Sequence, residues 1–204
     1  MKNKIDYSKL QLEEKKIFVE GDKVMKNQLF VGENQLNFVS LVEVGLLQLR
    51  EDAIEPRYEH DEYGNSGMDL FAAAIAIKED GEWKEFDSLE LAPGETALVK
   101  TGFAMEIPYG LELQVRPTSG NSLKTKMRVA NSPGTIDASY RGEIGVIVEN
   151  IGDINILLTK HAKVAQGVLC PVFHAKFKKK TKLSETSRGK DGYGSTGTIN
   201  KEEK

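Results

Sequence analysis

The sequence has few of the residues that build disulfide scaffolds or metal-binding modules. Its 204 residues include one cysteine and three histidines, too few for an internal disulfide or a Cys/His zinc module. No apolar stretch approaches the roughly 18 residues of a membrane span, and the opening residues lack the apolar segment of a secretory signal. We therefore expect a soluble protein of the reducing cytoplasm that has no membrane partner.

An excess of positive charge is also absent. Lys and Arg number 28 and Asp and Glu number 31, which gives a net charge of −3 at pH 7. Proteins that coat duplex nucleic acid carry a strong basic excess, so direct nucleic-acid binding is not expected. A basic run at 176–182 is interpreted as a solvated linker in preference to a nucleic-acid patch.

Aromatic residues make up only 7% of the chain, yet its pattern is typical of β-structure. Short runs of Val, Ile, Leu and Thr are broken by Gly, Pro or Asn-Ser about every ten residues, which predicts many short strands in an all-β sandwich or barrel. Residues 111–116 alternate, so Leu111, Leu113 and Val115 should face the core and Arg116 should point away from it.

Two further runs, 144–148 and 164–172, are apolar on both faces. They are therefore predicted to be central strands, or strands with one face against another subunit. Cys170 lies in the second run and is interpreted as a small core residue in preference to a nucleophile, because no His lies nearby. Residues 79–86 indicate a hairpin tip, and 8–19 a short helix or a loosely attached arm.

Three polar clusters could bind anions or carry chemistry. Residues 188–197 hold four glycines, two cations and two hydroxyls, and are an anion-binding loop or a flexible tail. Residues 116–122 form a turn that is either an anion nest or a plain loop. In 131–143, Asp137 lies among small and apolar residues, where it either caps a turn or is used chemically.

These three clusters and two other stretches resemble, in order and spacing, the five motifs of the trimeric dUTP diphosphatases (dUTPases). The match runs from Ser66 to Gly197, with 46–49 as the usual first strand. The stretches are 66–73, 116–122, 134–142, 164–166 and 188–197.

The resemblance implies an all-β, jelly-roll-like β-barrel of the β-clip type that assembles as a homotrimer with a mobile C-terminal arm. It divides the chain into an N-terminal extension without an assigned role (1–40), the barrel (41–183) and the arm (184–204). The implied reaction is Mg²⁺-dependent hydrolysis of dUTP to dUMP and pyrophosphate. That reaction limits uracil incorporation into DNA and supplies dUMP for dTMP synthesis.

The same resemblance implies roles for single residues. Asp137 would activate the attacking water, and Tyr140 would lie under the deoxyribose and exclude ribose. The residues expected to recognise uracil are Asn131, Gly134, Thr135 and Ile136.

Phosphate binding is carried over from the second, fourth and fifth motifs. Asp69 would support Mg²⁺ through water, and Tyr193 would stack on uracil in place of the more usual Phe. The residues expected at the phosphates are Thr118, Ser119, Gly120, Gln166, Arg188, Gly194, Ser195 and Thr196. Thr118 stands where the family has an arginine, and Arg116 is the candidate to replace that arginine.

Two alternatives stay open. The related dCTP deaminases share the fold, but they use a glutamate in the strand after the Ile-Asp turn, where this chain has Ile147. Some phage-borne relatives bind a repressor or host protein, and residues 1–40 and 79–86 are the natural candidates for such a regulatory partner.

Overall fold

The described part of the chain consists almost entirely of β-strands. The structure, a computed structural model, describes residues 30–31, 34–35, 42–59 and 65–192. Within these ranges every regular element except one short helix is a strand, which confirms the all-β prediction. The strands are β1 (Phe30–Val31), β2 (Asn34–Gln35), β3 (Gly45–Gln48), β4 (Met68–Phe71), β5 (Ala74–Glu79), β6 (Glu82–Phe86), β7 (Ser88–Leu91), β8 (Thr96–Lys100), β9 (Phe103–Glu106), β10 (Leu111–Arg116), β11 (Met127–Val129), β12 (Gly134–Asp137), β13 (Gly145–Asn150), β14 (Ile156–Thr159) and β15 (Lys163–Pro171).

Antiparallel pairing arranges these strands in two main sheets. One sheet has the order β12-β10-β15-β4, and the other has the order β11-β13-β8-β5-β6. Three two-stranded pairs, β1-β2, β14-β7 and β3-β9, lie outside them. The strands of the described ranges form separate sheets and do not close into a continuous barrel.

The chain divides into two compact units, residues 1–172 and 173–204. The second unit, as far as residue 192, contains no helix or strand, and its basic run at 176–182 is exposed throughout. The predicted helix or arm at 8–19 lies outside the described residues, and the boundaries predicted after residues 40 and 183 stay predictions. Among the described residues, no helix is long and apolar enough to cross a membrane.

The core lies under the alternating strand β10. Leu113 and Val115 are 0% and 2% exposed, and Leu111 packs against them from a half-buried position, as predicted. The two runs that are apolar on both faces are β13 and β15, and each has a neighbour on both sides of its sheet. The prediction of central strands is therefore confirmed.

The hairpin predicted at 79–86 is formed by β5 and β6. Its two turn residues, Asp80 and Gly81, have φ values of +51° and +86°, the left-handed conformation that suits a two-residue turn between twisted strands. Glu79 pairs with Glu82 directly beside the turn. β6 is the outer strand of its sheet, and its Trp83 is 56% exposed.

The turn predicted at 116–122 contains a short helix instead, α1 (Ser119–Lys124). It starts after Thr118, whose side chain makes no capping hydrogen bond, and it ends where the Asn121 carbonyl accepts the Thr125 N–H at 3.0 Å. None of its residues is buried. The helix therefore has no apolar stripe, the main sequence signal by which a helix is predicted.

We predict that Leu113→Ala lowers the free energy of unfolding by about 2–5 kcal/mol, because it empties a fully buried site. Urea unfolding followed by circular dichroism measures the loss. Leu123→Ala is the control, since that side chain is 78% exposed and its removal should change stability by less than about 0.5 kcal/mol. Equal losses in the two variants would contradict the buried packing of Leu113.

Candidate active site

An open pocket of about 480 Å³ lies beside β12 in the first unit. It brings together six residues that the sequence analysis predicts: Asn131, Gly134, Thr135, Ile136, Asp137 and Tyr140. Its other lining residues were not predicted, and they are Leu98, Lys100, Val115, Glu143, Gly145 and Ile147. The residues within 131–143 that are assigned to the base, the sugar and the water therefore share one cavity.

The local fold of β12 places a carboxylate at the rim of this pocket. Gly134 is buried, and a Cβ there would lie 3.3 Å from both Asn131 Nδ2 and Val115 Cβ, a tight approach that glycine avoids. Asp137 ends the strand with an exposed side chain. Its carbonyl accepts the Tyr140 N–H at 3.0 Å, which turns the chain back over the pocket.

Two features fix the position of Tyr140: a hydrogen bond from its hydroxyl, and the absence of a side chain at Gly142. Its hydroxyl donates to the backbone carbonyl of Glu143 at 3.0 Å. A Cβ on Gly142 would lie 2.4 Å from that hydroxyl oxygen and 2.6 Å from Cζ, so Gly142 leaves the space that the ring occupies. The ring is 45% exposed and forms part of the pocket wall.

An ion-pair network lies behind Lys100 and Glu143. Arg50 Nη1 lies 2.9 Å from one Glu85 carboxylate oxygen, and Arg50 Nε lies 3.1 Å from Glu143 Oε1. Lys100 Nζ contacts Glu85 at 2.5 Å, and the Gly102 N–H donates to Glu143 at 2.9 Å. Arg50 and Glu143 are 93 positions apart in the chain, so no local sequence pattern could have found this network.

The network shifts the protonation equilibria of Glu85 and Arg50. Hydrogen bonds from Arg50 first, and from Lys100 second, lower the pKa of Glu85 from its ordinary 4.5 to about 2. The hydrogen bond to Glu85, followed by that to Glu143, raises the pKa of Arg50. Side-chain exposure of 18–36% across the network means that solvent screens part of this interaction.

The predicted phosphate residues of the first unit lie outside that pocket lining, around the start of α1. Ser119 and Gly120 are exposed in the first turn of the helix. Gln166, on β15, donates through Nε2 to the Pro117 carbonyl at 3.0 Å. A Cβ on Gly67 would lie 2.6 Å from Gln166 Oε1. The first, second and fourth motifs therefore meet at the Gln166 side chain.

Arg116 lies in a row of polar side chains on β10. Its Nε and Nη2 atoms donate to Gln114 Oε1 at 3.0 and 2.6 Å, and Nη2 also lies 3.3 Å from Cys170 Sγ. Gln114 in turn donates to Glu112 at 2.7 Å. The prediction that Cys170 is a core residue is wrong: it is half-buried because it lies opposite Glu112, beside this polar row.

Asp69 is the predicted support for Mg²⁺. It is buried on β4, and its Oδ2 lies 2.9 Å from Lys163 Nζ. Among the described residues, no group of three or more His, Cys, Asp or Glu side chains could hold a metal. This donor set does not form a metal cage, but one carboxylate suits a Mg²⁺ ion that keeps its waters and is carried mainly by phosphates.

In the second unit, the Arg188 motif makes hydrogen bonds with residues close to it in the chain. Arg188 donates through Nε to the Asp191 carbonyl at 3.0 Å, and the Gly189 N–H donates to the Thr186 carbonyl at 3.1 Å. The remaining predicted residues of this motif, Tyr193, Gly194, Ser195 and Thr196, lie outside the described residues.

Comparison with solved structures defines the class of fold. The dUTPase of Staphylococcus bacteriophage 80alpha, as a point mutant with dUpNHpp, matches with a TM-score of 0.65 at 23% identity, over 76% of this chain and 99% of that chain. A mutant dUTPase of the S. aureus phage phi11, solved with a structural Mg(II) ion, has a TM-score of 0.57 at 23% identity, over 70% and 99%. The fold is thus the all-β fold of the dUTPases, for which trimers are known.

Sequence comparison gives the family itself. The family model for dUTPase matches residues 86–197. The deoxyuridine 5′-triphosphate nucleotidohydrolase of Picosynechococcus sp. is 48% identical over 153 residues, which cover 75% of this chain and 97% of that protein. The Clostridium tetani protein of the same name is 44% identical over 149 residues, 73% and 92% of the two chains. The chain belongs to the dUTPase family, the dUTP diphosphatases, and the resemblance found in the sequence is confirmed.

The lowered pKa of Glu85 predicts a contribution to stability that depends on pH. The ionised carboxylate stabilises the fold above its ordinary pKa of 4.5, and this contribution is lost as the pH falls through about 2. Between these values Glu85→Gln should therefore lose stability less steeply than the wild type. Urea unfolding at pH 7, 4.5 and 3 measures the slope, with Glu79→Gln on the same hairpin as control. Parallel slopes in wild type and Glu85→Gln would contradict the prediction.

Proposed function

We propose that the chain hydrolyses dUTP to dUMP and pyrophosphate by activating a water at Asp137. The water oxygen attacks the α-phosphate, the bond to the bridging oxygen of the β-phosphate breaks, and the water proton passes to the Asp137 carboxylate. The observation that carries this proposal is the exposed Asp137 side chain on the same pocket as Asn131 and Tyr140. Because water is the nucleophile, no activated Ser or Cys is needed.

The pocket lining supports a choice of uracil and deoxyribose. Asn131 and the backbone of Gly134, Thr135 and Ile136 would pair with the polar edge of uracil. Cytosine presents an amino group where uracil has a carbonyl, which would leave buried groups unpaired and cost binding energy. The ring of Tyr140 would lie under the deoxyribose, where a 2′-hydroxyl would clash with it.

Binding of the triphosphate would combine the α1 turn with the C-terminal motif. Ser119, Gly120 and Gln166 would contact the phosphates, with Thr118 beside them in place of the family arginine. Arg188 would add positive charge, and Tyr193 would stack on the base. The residues that would close on the γ-phosphate are Gly194, Ser195 and Thr196. Closure of this kind expels water and positions the phosphates for in-line attack.

Magnesium would act with the substrate rather than in a cage of protein ligands. When bound, Mg²⁺ neutralises charge on the phosphates. Asp69 would support it through a bound water, while Lys163 holds the carboxylate in place from 2.9 Å.

The proposed physiological role is control of the dUTP pool. Hydrolysis would limit uracil incorporation into DNA and supply dUMP for dTMP synthesis. We infer a homotrimer, with each site assembled from residues of three chains, and a cytoplasmic location consistent with the single cysteine.

The alternatives receive less support. Ile147 lines the pocket where a deaminase would need a glutamate, and an aliphatic side chain cannot transfer protons. A regulatory partner stays a prediction. Phage dUTPases, that of 80alpha among them, control the transfer of virulence genes. Of the two segments that are candidates for such a role in this chain, the structure describes one in full, the β5–β6 hairpin.

The proposed reaction is tested by measuring pyrophosphate release from dUTP, dTTP, dCTP and UTP in the presence of Mg²⁺. We expect release from dUTP, and release from the other three to be lower by about 10²-fold or more. Ammonia release from dCTP would overturn the assignment in favour of deamination.

The role of Asp137 is tested by Asp137→Asn, which should lower kcat for dUTP by about 10²–10⁴-fold because the general base is lost. Asp153→Asn is the control: its side chain is exposed in the β13–β14 loop, and the substitution should leave kcat unchanged. Intact pyrophosphate release by Asp137→Asn would show that another group activates the water.

The replacement of the family arginine by Arg116 is tested by Arg116→Ala. In the proposed complex the Arg116 guanidinium leaves Gln114 and Cys170 and binds a phosphate oxygen. Arg116→Ala should then lower kcat/KM for dUTP about 10-fold, the effect of losing one hydrogen bond to a charged group. The kcat/KM of Arg116→Lys should lie between those of the wild type and Arg116→Ala, because Lys keeps the positive charge but lacks the planar guanidinium that can make two parallel hydrogen bonds. Unchanged kinetics in Arg116→Ala would show that Arg116 does not compensate for Thr118.

A further inference from the structure

The β5–β6 hairpin, which sequence analysis left without a catalytic role, supplies one carboxylate to the ion-pair network behind the pocket. Glu85 accepts Arg50 Nη2 at 3.0 Å and also binds Lys100. The other ion pair of the hairpin, Glu79 with Lys84, stays within the hairpin itself. Only Glu85, of these two carboxylates, connects the hairpin to residues of the pocket wall.

The connection continues from Arg50 to the turn that carries Tyr140. Arg50 Nε contacts Glu143 Oε1, which also accepts the Gly102 N–H. The backbone carbonyl of the same Glu143 accepts the Tyr140 hydroxyl at 3.0 Å. One residue therefore has its side chain fixed by the network and its backbone bound to the ring on the pocket wall.

We propose that Glu85 and Glu143 are positioning residues that hold Tyr140 at the sugar through the network with Arg50 and Lys100. The inference rests on the proposed function, because it takes Tyr140 as the residue that rejects ribose. Neither glutamate needs to touch the substrate, because each acts by fixing the position of the Tyr140 hydroxyl. The hairpin thereby becomes part of the machinery for sugar selection.

Charge balance makes the loss of one member consequential. The network holds two cations and two carboxylates, so it is neutral as a set. Without the Glu85 charge, both cations depend on Glu143, and Lys100 Nζ already lies 3.7 Å from Glu143 Oε2. Lys100 would then move toward Glu143 and compete with Arg50 for its carboxylate. This competition would displace the Glu143 side chain and, with it, the backbone carbonyl that accepts the Tyr140 hydroxyl.

The test measures kcat and KM for dUTP and UTP in Glu85→Gln, with Glu79→Gln as the matched hairpin control. In Glu85→Gln we expect the ratio of kcat/KM for dUTP over UTP to fall roughly 10-fold, since small displacements in a site have effects of this size or larger. Glu143→Gln should show a fall at least as large, and Glu79→Gln should keep the wild-type ratio.

Action through Tyr140 is tested in a Tyr140→Phe background, which lacks the hydroxyl. There Glu85→Gln should cause no further fall in the ratio, because the contact on which it acts is already gone. An additive fall in the double variant, or equal ratios for Glu85→Gln and Glu79→Gln, would overturn the proposal.

Amide hydrogen exchange over residues 138–145 provides a readout that needs no activity. Glu85→Gln should exchange faster there than wild type and Glu79→Gln do, and unchanged exchange would also overturn the proposal. If the wild type releases no pyrophosphate from dUTP, the proposed function fails, while hydrogen exchange still decides whether Glu85 positions the turn.

Discussion

The arrangement of the site depends on one strand, β10, which pairs with β12 on one side and β15 on the other. The pairing places Asp137 opposite Glu112, and Gln166 opposite Arg116. A slip of one residue would turn Leu113 out of the core, so the hydrophobic burial of that side chain fixes the register. Asp137 and Gln166, the residues proposed to activate the water and to bind phosphate, thus keep their spacing because Leu113 is buried.

The charge distribution fits the proposed division between residues that bind the nucleoside and residues that bind the phosphates. Lys100 lines the pocket, but its charge is balanced within the network by Glu85, so this wall suits an uncharged base and sugar. A chain with net charge −3 must then place positive charge elsewhere for a polyanionic substrate. Arg116 and Arg188 lie in the motifs that the proposed function assigns to the phosphates.

Local sequence patterns predicted the features that depend on residues close together in the chain. Alternation identified the core face of β10, and a charged, Gly-containing stretch identified the β5–β6 hairpin. The residues carried over from the family resemblance include six that line the pocket. Helix α1 was missed because it buries nothing. The network was missed because its members come from distant segments, and Cys170 was misplaced because its polar neighbours lie on another strand.

The position of β6 at the edge of its sheet has a consequence for behaviour at high concentration. An outer strand presents unpaired backbone groups to which a strand of another molecule can add, and the exposed Trp83 would favour that association. Glu82 and Lys84 flank the tryptophan, and their hydrated charges must be stripped of water before another strand can approach. The short, charged edge strand therefore disfavours aggregation through strand pairing.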